Sequence, residues 1–234
     1  MEVADNVARI RERIAGAAQR SGRSPQAITL MAVSKTFPAE SIGAAYAAGV
    51  RVFGENRVQE FAGKSSAVSA LREAEFHLIG HLQTNKAAKA AELFQAVDSL
   101  DSLRLARRLD EAAGRLPKRL PVLIEINLGG ETQKSGLAPA SQELEELLHA
   151  AAALEHLGFR GLMTVPPYTE NPEYARPFFR QLAQLRRELA ARCLPGVALE
   201  QLSMGMSHDF EVAVEEGATC VRIGTAIFGA RERP

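Results

Sequence analysis

The sequence predicts an α/β fold in which eight parallel strands, each followed by a helix, close into a single (β/α)8 or TIM barrel. Three observations predict it. Eight short apolar, β-branched runs recur along the 234 residues, with longer helix-period segments between them. The runs are continuously apolar, as suits strands buried on both faces. No Gly/Ser/Pro-rich linker divides the chain, so residues 1–234 read as one domain. Eight βα units in about 230 residues match a closed barrel better than the runner-up, a doubly wound open sheet.

The elements follow in order. Residues 1–22 (MEVADNVARIRERIAGAAQR at the start) form an amphipathic helix that covers part of the barrel wall. ITLMAVS, residues 28–34, is the first strand. A helix over 39–48 follows and ends at Gly49. RVFG (51–54) is the second strand, followed by a helix over 57–71. FHLIG (76–80) precedes a helix over 85–94, and QAVDS (95–99) one over 103–113. Ser99 and Asp101 are start signals for that helix, and Gly114 is its stop. PVLIEINL (121–128) is the longest run. Pro139 and Ser141 open a helix over 140–157, closed by Gly158. FRGLMTV (159–165) leads through the loop VPPYTENPEY (165–174) into a helix over 172–192. ALEQLSM (198–204), a helix over 209–216 closed by Gly217, and TCVRIG (219–224) complete the pattern.

Composition narrows the function classes. The 28 basic and 28 acidic residues cancel, which disfavours a nucleic-acid binder or a polybasic membrane-surface protein. The N-terminal segment carries charges throughout and so is no signal peptide. No stretch approaches the roughly 18 apolar residues that span a bilayer. Two cysteines, Cys193 and Cys220, are too few for a structural zinc site and read as reduced thiols of a cytoplasmic protein.

In such a barrel, chemistry sits on the loops that follow the strands. Lys35, just after the first strand, aims an amine at the barrel mouth. Among apolar neighbours its pKa falls and it can act as a Schiff-base nucleophile; the alternative is a lysine that merely snorkels at a strand end. Of the other five lysines, Lys86 and Lys89 fall in a helical run, Lys64 and Lys118 in polar surface-like segments, and Lys134 in a Gly-rich loop, where it is a second, more mobile amine. SMGMS and RIGT, after the seventh and eighth strands, combine glycines with hydroxyls at the recurrent phosphate position of barrels, or serve only as tight turns. Arg222, inside an apolar strand, needs a partner; on composition this is an ion pair with Glu125 or Glu200. Asn56 and His81 orient a ligand or cap the following helices. Glu55 reads as a general base or, more commonly, as an exposed loop acid. An amine nucleophile beside a phosphate cradle suits a phosphorylated aldehyde or ketone: pyridoxal 5′-phosphate (PLP), or a sugar phosphate in an aldolase.

The segments AVSKTFP, FGENRVQE, FHLIGHLQTNK, VDSLDSLRLA, IEINLGGETQKSG, RGLMTVPP, LSMGMSHDFEVAVEEGA and VRIGTAIFGAR resemble the pyridoxal phosphate homeostasis protein family, from about residue 30 to 231. The resemblance implies the alanine-racemase-type, fold type III PLP barrel without the second domain of the racemases. It implies PLP as cofactor, with Lys35 as the Schiff-base lysine. It places Ser207, Gly224 and Thr225 on the phosphate, with Met206 beside it through its backbone. It also places Arg222 opposite the pyridine nitrogen and Asn56 near the ring. Arg222 then has the ligand, and not a glutamate, for a partner. His208 stands at a variable position of the phosphate loop.

The resulting expectation is a cytoplasmic, monomeric PLP carrier that holds the cofactor and delivers it to PLP-dependent apo-enzymes, with no catalytic turnover of its own. The alternative is a PLP-dependent amino-acid racemase. That needs a second acid/base on the opposite face of the ring, and Tyr168 is the tyrosine to watch. A Schiff-base aldolase is disfavoured, because it gives Arg222 no role.

Overall fold

The computed structural model describes residues 2–131 and 135–230. Its centre is a closed barrel of eight strands in sequential order: β1 (Thr29–Val33), β2 (Val52–Glu55), β3 (Glu75–Leu78), β4 (Ala96–Leu100), β5 (Leu120–Glu125), β6 (Leu157–Met163), β7 (Val197–Ser203) and β8 (Cys220–Ile223). Each strand pairs in parallel with its neighbours, and β8 closes on β1 with Met31 opposite Arg222. The predicted barrel, not the open sheet, is what the chain forms. Closure leaves no strand edge unpaired, the usual benefit of this architecture.

Around it lie α1 (Val3–Arg20), α2 (Ala39–Ala47), α3 (Val58–Lys64), α4 (Ala87–Leu93), α5 (Leu103–Ala113), α6 (Gln142–Ala150), α7 (Arg176–Ala191), α8 (Phe210–Glu215) and the short α9 (Thr225–Phe228). In α1, Val7, Ile10, Ile14 and Ala17 recur at three- and four-residue steps, so one stripe is buried. That stripe packs on α8, α9 and α2. Asn6, buried beside it, donates to the Ile227 carbonyl at 2.8 Å, and Arg13 and Arg20 pair with Glu211 and Glu215 of α8. In α5, Leu105, Leu109 and Ala112 form the buried stripe, and the Ser102 hydroxyl caps the first turn by accepting from the Leu105 amide.

Several predicted boundaries move. The cap of α5 is Ser102, not Ser99 or Asp101: Ser99 stays in β4, where its hydroxyl donates to the Gly80 carbonyl at 2.7 Å. The helix expected over 140–157 ends at Ala150, passes through one three-ten turn, and gives way to β6 at Leu157. Gly158 is therefore a strand residue. The alanine-rich run has high helix propensity, but strand pairing with β5 overrides it. The helix expected over 57–71 stops at Lys64, where Ser65 and Ser66 begin a series of turns.

The barrel interior is not wholly apolar. His77 Nδ1 lies 3.1 Å from Asp98 Oδ1, and its Nε2 lies 3.7 Å from Glu75 Oε2. Burial alone would lower the His77 pKa, but Asp98 and Glu75 outweigh it and push it from 6.5 up to about 9. A folded-state pKa raised in this way stabilises the fold fully below pH 6.5, and the gain is lost as pH rises through about 9. We expect the thermal midpoint to fall across that window. His77→Gln, which cannot ionise, should flatten the fall in a pH series of melting curves; an identical slope in the variant would assign the loss to other groups.

Candidate functional site

The C-terminal ends of the strands gather the unusual residues on one face. β1 ends at Val33, so Lys35 sits half-buried in the turn that follows it rather than within the strand. Thr36, next to it, has φ +67°. A β-branched residue in this left-handed region is an outlier that costs about 1–3 kcal/mol and persists only where the surroundings hold it.

Across the closing seam lies the second group. The Thr225 hydroxyl donates to Ser207 Oγ at 3.3 Å, and the Ala226 amide approaches the same oxygen at 3.5 Å. Gly224 lies beside the end of β1, where a Cβ would meet the Val33 carbonyl oxygen at 3.5 Å. Met206 points its amide into the loop, donating to Asp209 Oδ1 at 2.6 Å. Burial pushes the Asp209 carboxyl up despite that bond. Gly205, at φ +92°, is required by space as well as conformation: a Cβ there would stand 2.5 Å from that of Ala213. His208 lies under the Tyr168 ring, with centroids 4.8 Å apart.

Arg222 occupies the barrel interior below these loops and is 4 % exposed. Its guanidinium donates to Ser203 Oγ at 2.8 Å and to the Thr164 carbonyl at 2.7 Å. Burial lowers its pKa, while Cys220, Asp98, Glu125 and Asp209 act in the other direction from a distance. The ion pair expected from composition does not form. Glu200 is on the surface, 3.5 Å from Arg160, and Glu125 accepts a bond from the Ser135 hydroxyl. Among the described residues no carboxylate pairs with Arg222. Cys220, near the guanidinium, is part-exposed as a residue, but burial of its thiol group pushes it up to about 12.

On the side of β2, β3, β5 and β6 the strand ends enclose a cavity of about 490 Å³, walled by Asn56, Gly80, His81, Glu125, Asn127 and Ser135 among others. Gly80 is needed here: a Cβ would fall 2.4 Å from the Asn56 carbonyl oxygen. Asn56 and His81 do not act as helix caps. Arg57 is the capping residue of α3 and makes no side-chain cap, and His81 Nδ1 is 2.9 Å from Asp101 Oδ2. Burial raises the Glu125 pKa.

Two residues depart from their sequence reading. Glu55 is neither exposed nor in the mouth; it ends β2 fully buried, accepting from the Ser34 hydroxyl at 2.7 Å and from Lys64 of α3. Lys64, read as a surface lysine, has a side chain only 13 % exposed. It lies on α3, directly behind the turn that carries Lys35. Lys134 lies outside the described residues.

These residues fit PLP by the chemistry of their donors. A buried guanidinium with no carboxylate partner suits a lone-pair acceptor such as a ring nitrogen, and converging hydroxyls and an amide suit a phosphate. Lys35, half-buried, lies on the turn after β1, the strand that pairs with β8.

Comparison with known proteins agrees with the barrel fold. The family described as alanine racemase, N-terminal domain, matches residues 5–232. The pyridoxal phosphate homeostasis protein of Aquifex aeolicus (strain VF5) is 47% identical over 232 residues, covering 99% of this chain and 100% of its own. That of Escherichia coli (strain K12) is 47% identical over 236 residues, 99% of this chain and 97% of its own. Among solved structures, PipY of Synechococcus elongatus PCC7942, with PLP bound, superposes with a TM-score of 0.85 at 38% identity, over 97% of this chain and 100% of its own. Alanine racemase of Clostridium difficile 630 shares the fold, with a TM-score of 0.71 at 16% identity over 99% of this chain and 57% of the racemase.

Proposed function

We propose the function of this chain from the family to which it belongs, the alanine racemase N-terminal domain family and, within it, the pyridoxal phosphate homeostasis proteins. The protein binds PLP and acts in its homeostasis. The observation that carries this reading is the mouth itself: an amine on the turn after β1, hydroxyls after β7 and β8, and a buried arginine whose charge no described carboxylate takes up.

The residue roles follow from that geometry. Lys35 holds the cofactor; when bound, PLP supplies an aldehyde that condenses with this amine. Ser207, Gly224 and Thr225 hold the phosphate, with Met206 at its edge, where the amide bond to Asp209 fixes the loop. Asn56 walls the ring side of the mouth. Arg222 faces the pyridine nitrogen, and a cation there disfavours a proton on the ring. An unprotonated ring is a poor electron sink, which suits a carrier better than a catalyst.

The racemase alternative is not favoured. Two-sided proton transfer needs an acid/base on each face of the ring. Tyr168, the tyrosine to watch on the loop after β6, is 73 % exposed and lies against His208. Racemases of this fold also extend well beyond the barrel, as the 57% coverage reflects.

We further propose that the protein works in the cytoplasm as a monomer and passes PLP to apo-enzymes. No helix among the described residues is long and apolar enough to cross a membrane. The test is transfer: holo-protein mixed with a PLP-dependent apo-enzyme should restore its activity, faster than PLP released into an excess of a free-aldehyde trap. No transfer, or turnover of a common amino acid by the protein alone, would replace the carrier reading.

A further inference from the structure

A dense polar network lies behind the turn that carries Lys35, outside the barrel wall. The three N–H groups of Lys64 Nζ are shared among four oxygens within hydrogen-bond distance: the Ser34 carbonyl at 3.2 Å, the Phe37 carbonyl at 3.2 Å, Glu55 Oε1 at 2.8 Å and Glu60 Oε1 at 3.0 Å. Glu60 Oε1 also accepts from the Thr36 amide at 2.5 Å, and Glu55 Oε1 from the Ser34 hydroxyl at 2.7 Å. The Thr36 hydroxyl turns back to the Lys35 carbonyl at 2.5 Å. Ser34, Thr36 and Phe37, which flank Lys35 in the turn, are therefore tied to one ammonium and its two carboxylates.

Burial raises the Glu55 pKa, and its Oε2 has no hydrogen-bond partner among the described residues. A carboxylate is not placed so deeply for solubility. The Thr36 amide and Lys64 hold Glu60 below the ordinary carboxylate range even though burial pulls the other way. One salt bridge would be enough to anchor α3. Two carbonyls and an amide of a single turn, gathered on the same cluster, fix the direction of that turn as well, and a left-handed threonine needs such fixing.

We propose that Lys64, Glu60 and Glu55 are positioning residues for Lys35: a clamp that holds the turn left-handed at Thr36 and so sets where the amine meets its aldehyde. This rests on the reading of Lys35 as the PLP-holding lysine. In that step the neutral amine and the aldehyde form one C=N bond, and the carbonyl oxygen leaves as water with both amine hydrogens. The reverse step needs water at the same carbon, so the direction of the amine governs how readily the cofactor is released as well as captured.

The test compares Glu60→Ala, Glu60→Gln and Lys64→Met with the wild-type full chain. The first readout is the exchange rate of the Thr36 amide hydrogen in protein without cofactor. It should rise tenfold or more in Glu60→Ala, and stay near wild type in Glu60→Gln, which keeps an acceptor oxygen. The second is PLP release into a trap, with the pH midpoint of the visible Schiff-base band. Release should quicken about tenfold and the midpoint should move in Glu60→Ala and Lys64→Met, with Glu60→Gln again close to wild type. Melting curves verify that each variant is folded. Glu60 is partly exposed, so its variants keep the test open should Lys64→Met fail to fold. Folded Glu60→Ala protein with wild-type exchange, release and midpoint would overturn the clamp. If wild-type protein takes up no PLP, the functional reading fails, while the Thr36 amide still decides the clamp.

Discussion

Lys35→Ala should abolish the visible band of the PLP-loaded protein and all borohydride-fixable cofactor, while the chain remains folded. The side chain belongs to the turn after β1 and not to the apolar core, so its truncation opens no core cavity. The hydroxyls of Ser207 and Thr225 and the guanidinium of Arg222 are untouched, so residual binding survives through the phosphate and the ring. Losing the covalent link should weaken retention at least tenfold, or about 1.4 kcal/mol. The measurement is cofactor retained after gel filtration, read by absorbance and by mass after reduction. A wild-type band in the variant would show that a different amine carries the cofactor, and Lys134 would be examined next.

The second large effect falls on Arg222. From sequence, a change to glutamate is expected to loosen the cofactor without necessarily unfolding the chain. The structure alters that expectation. Position 222 is buried, it contacts Ser203 and the Thr164 carbonyl, and it feels Asp98, Glu125 and Asp209. Arg222→Glu would place a buried, unpaired carboxylate among others of its own sign, at a cost of about 3–5 kcal/mol. For a chain of this size that is a fall of roughly 6–20 °C in the melting midpoint. Arg222→Gln is the informative partner. It keeps an amide donor within the same space and removes only the charge, so it should weaken PLP binding about tenfold with a much smaller loss of stability. Wild-type affinity in a folded Arg222→Gln protein would remove the ring-nitrogen role.

The barrel was legible because its strands are written as continuous apolar runs at regular intervals. What local pattern cannot show is where pairing overrides it. The alanines at 150–153 read as helix up to the point where β5 recruits Leu157. Within the site, the mouth residues were legible because loop glycines and hydroxyls follow the strands at predictable points. Their partners were not. Arg222 invited a carboxylate from composition, yet a barrel interior also offers backbone carbonyls such as that of Thr164. Glu55 and Lys64 looked like surface charges because each is common there. Only the approach of α3 to the turn after β1, a contact between distant stretches of chain, makes them a buried pair. His77 was hidden for the same reason, since its burial depends on Asp98 from the next strand.

The raised pKa of the Cys220 thiol bears on which chemistry a small molecule can meet inside the barrel. Aldehydes are captured by thiolates as readily as by amines, and a cofactor trapped as a sulfur adduct is lost to its purpose. A thiol held near 12 is essentially never ionised under cellular conditions. The sulfur lies in the strand of Arg222, two residues away, yet it is chemically silent. This sulfur therefore offers an electrophilic guest no thiolate, and capture by an amine, reversible by hydrolysis, goes uncontested by it.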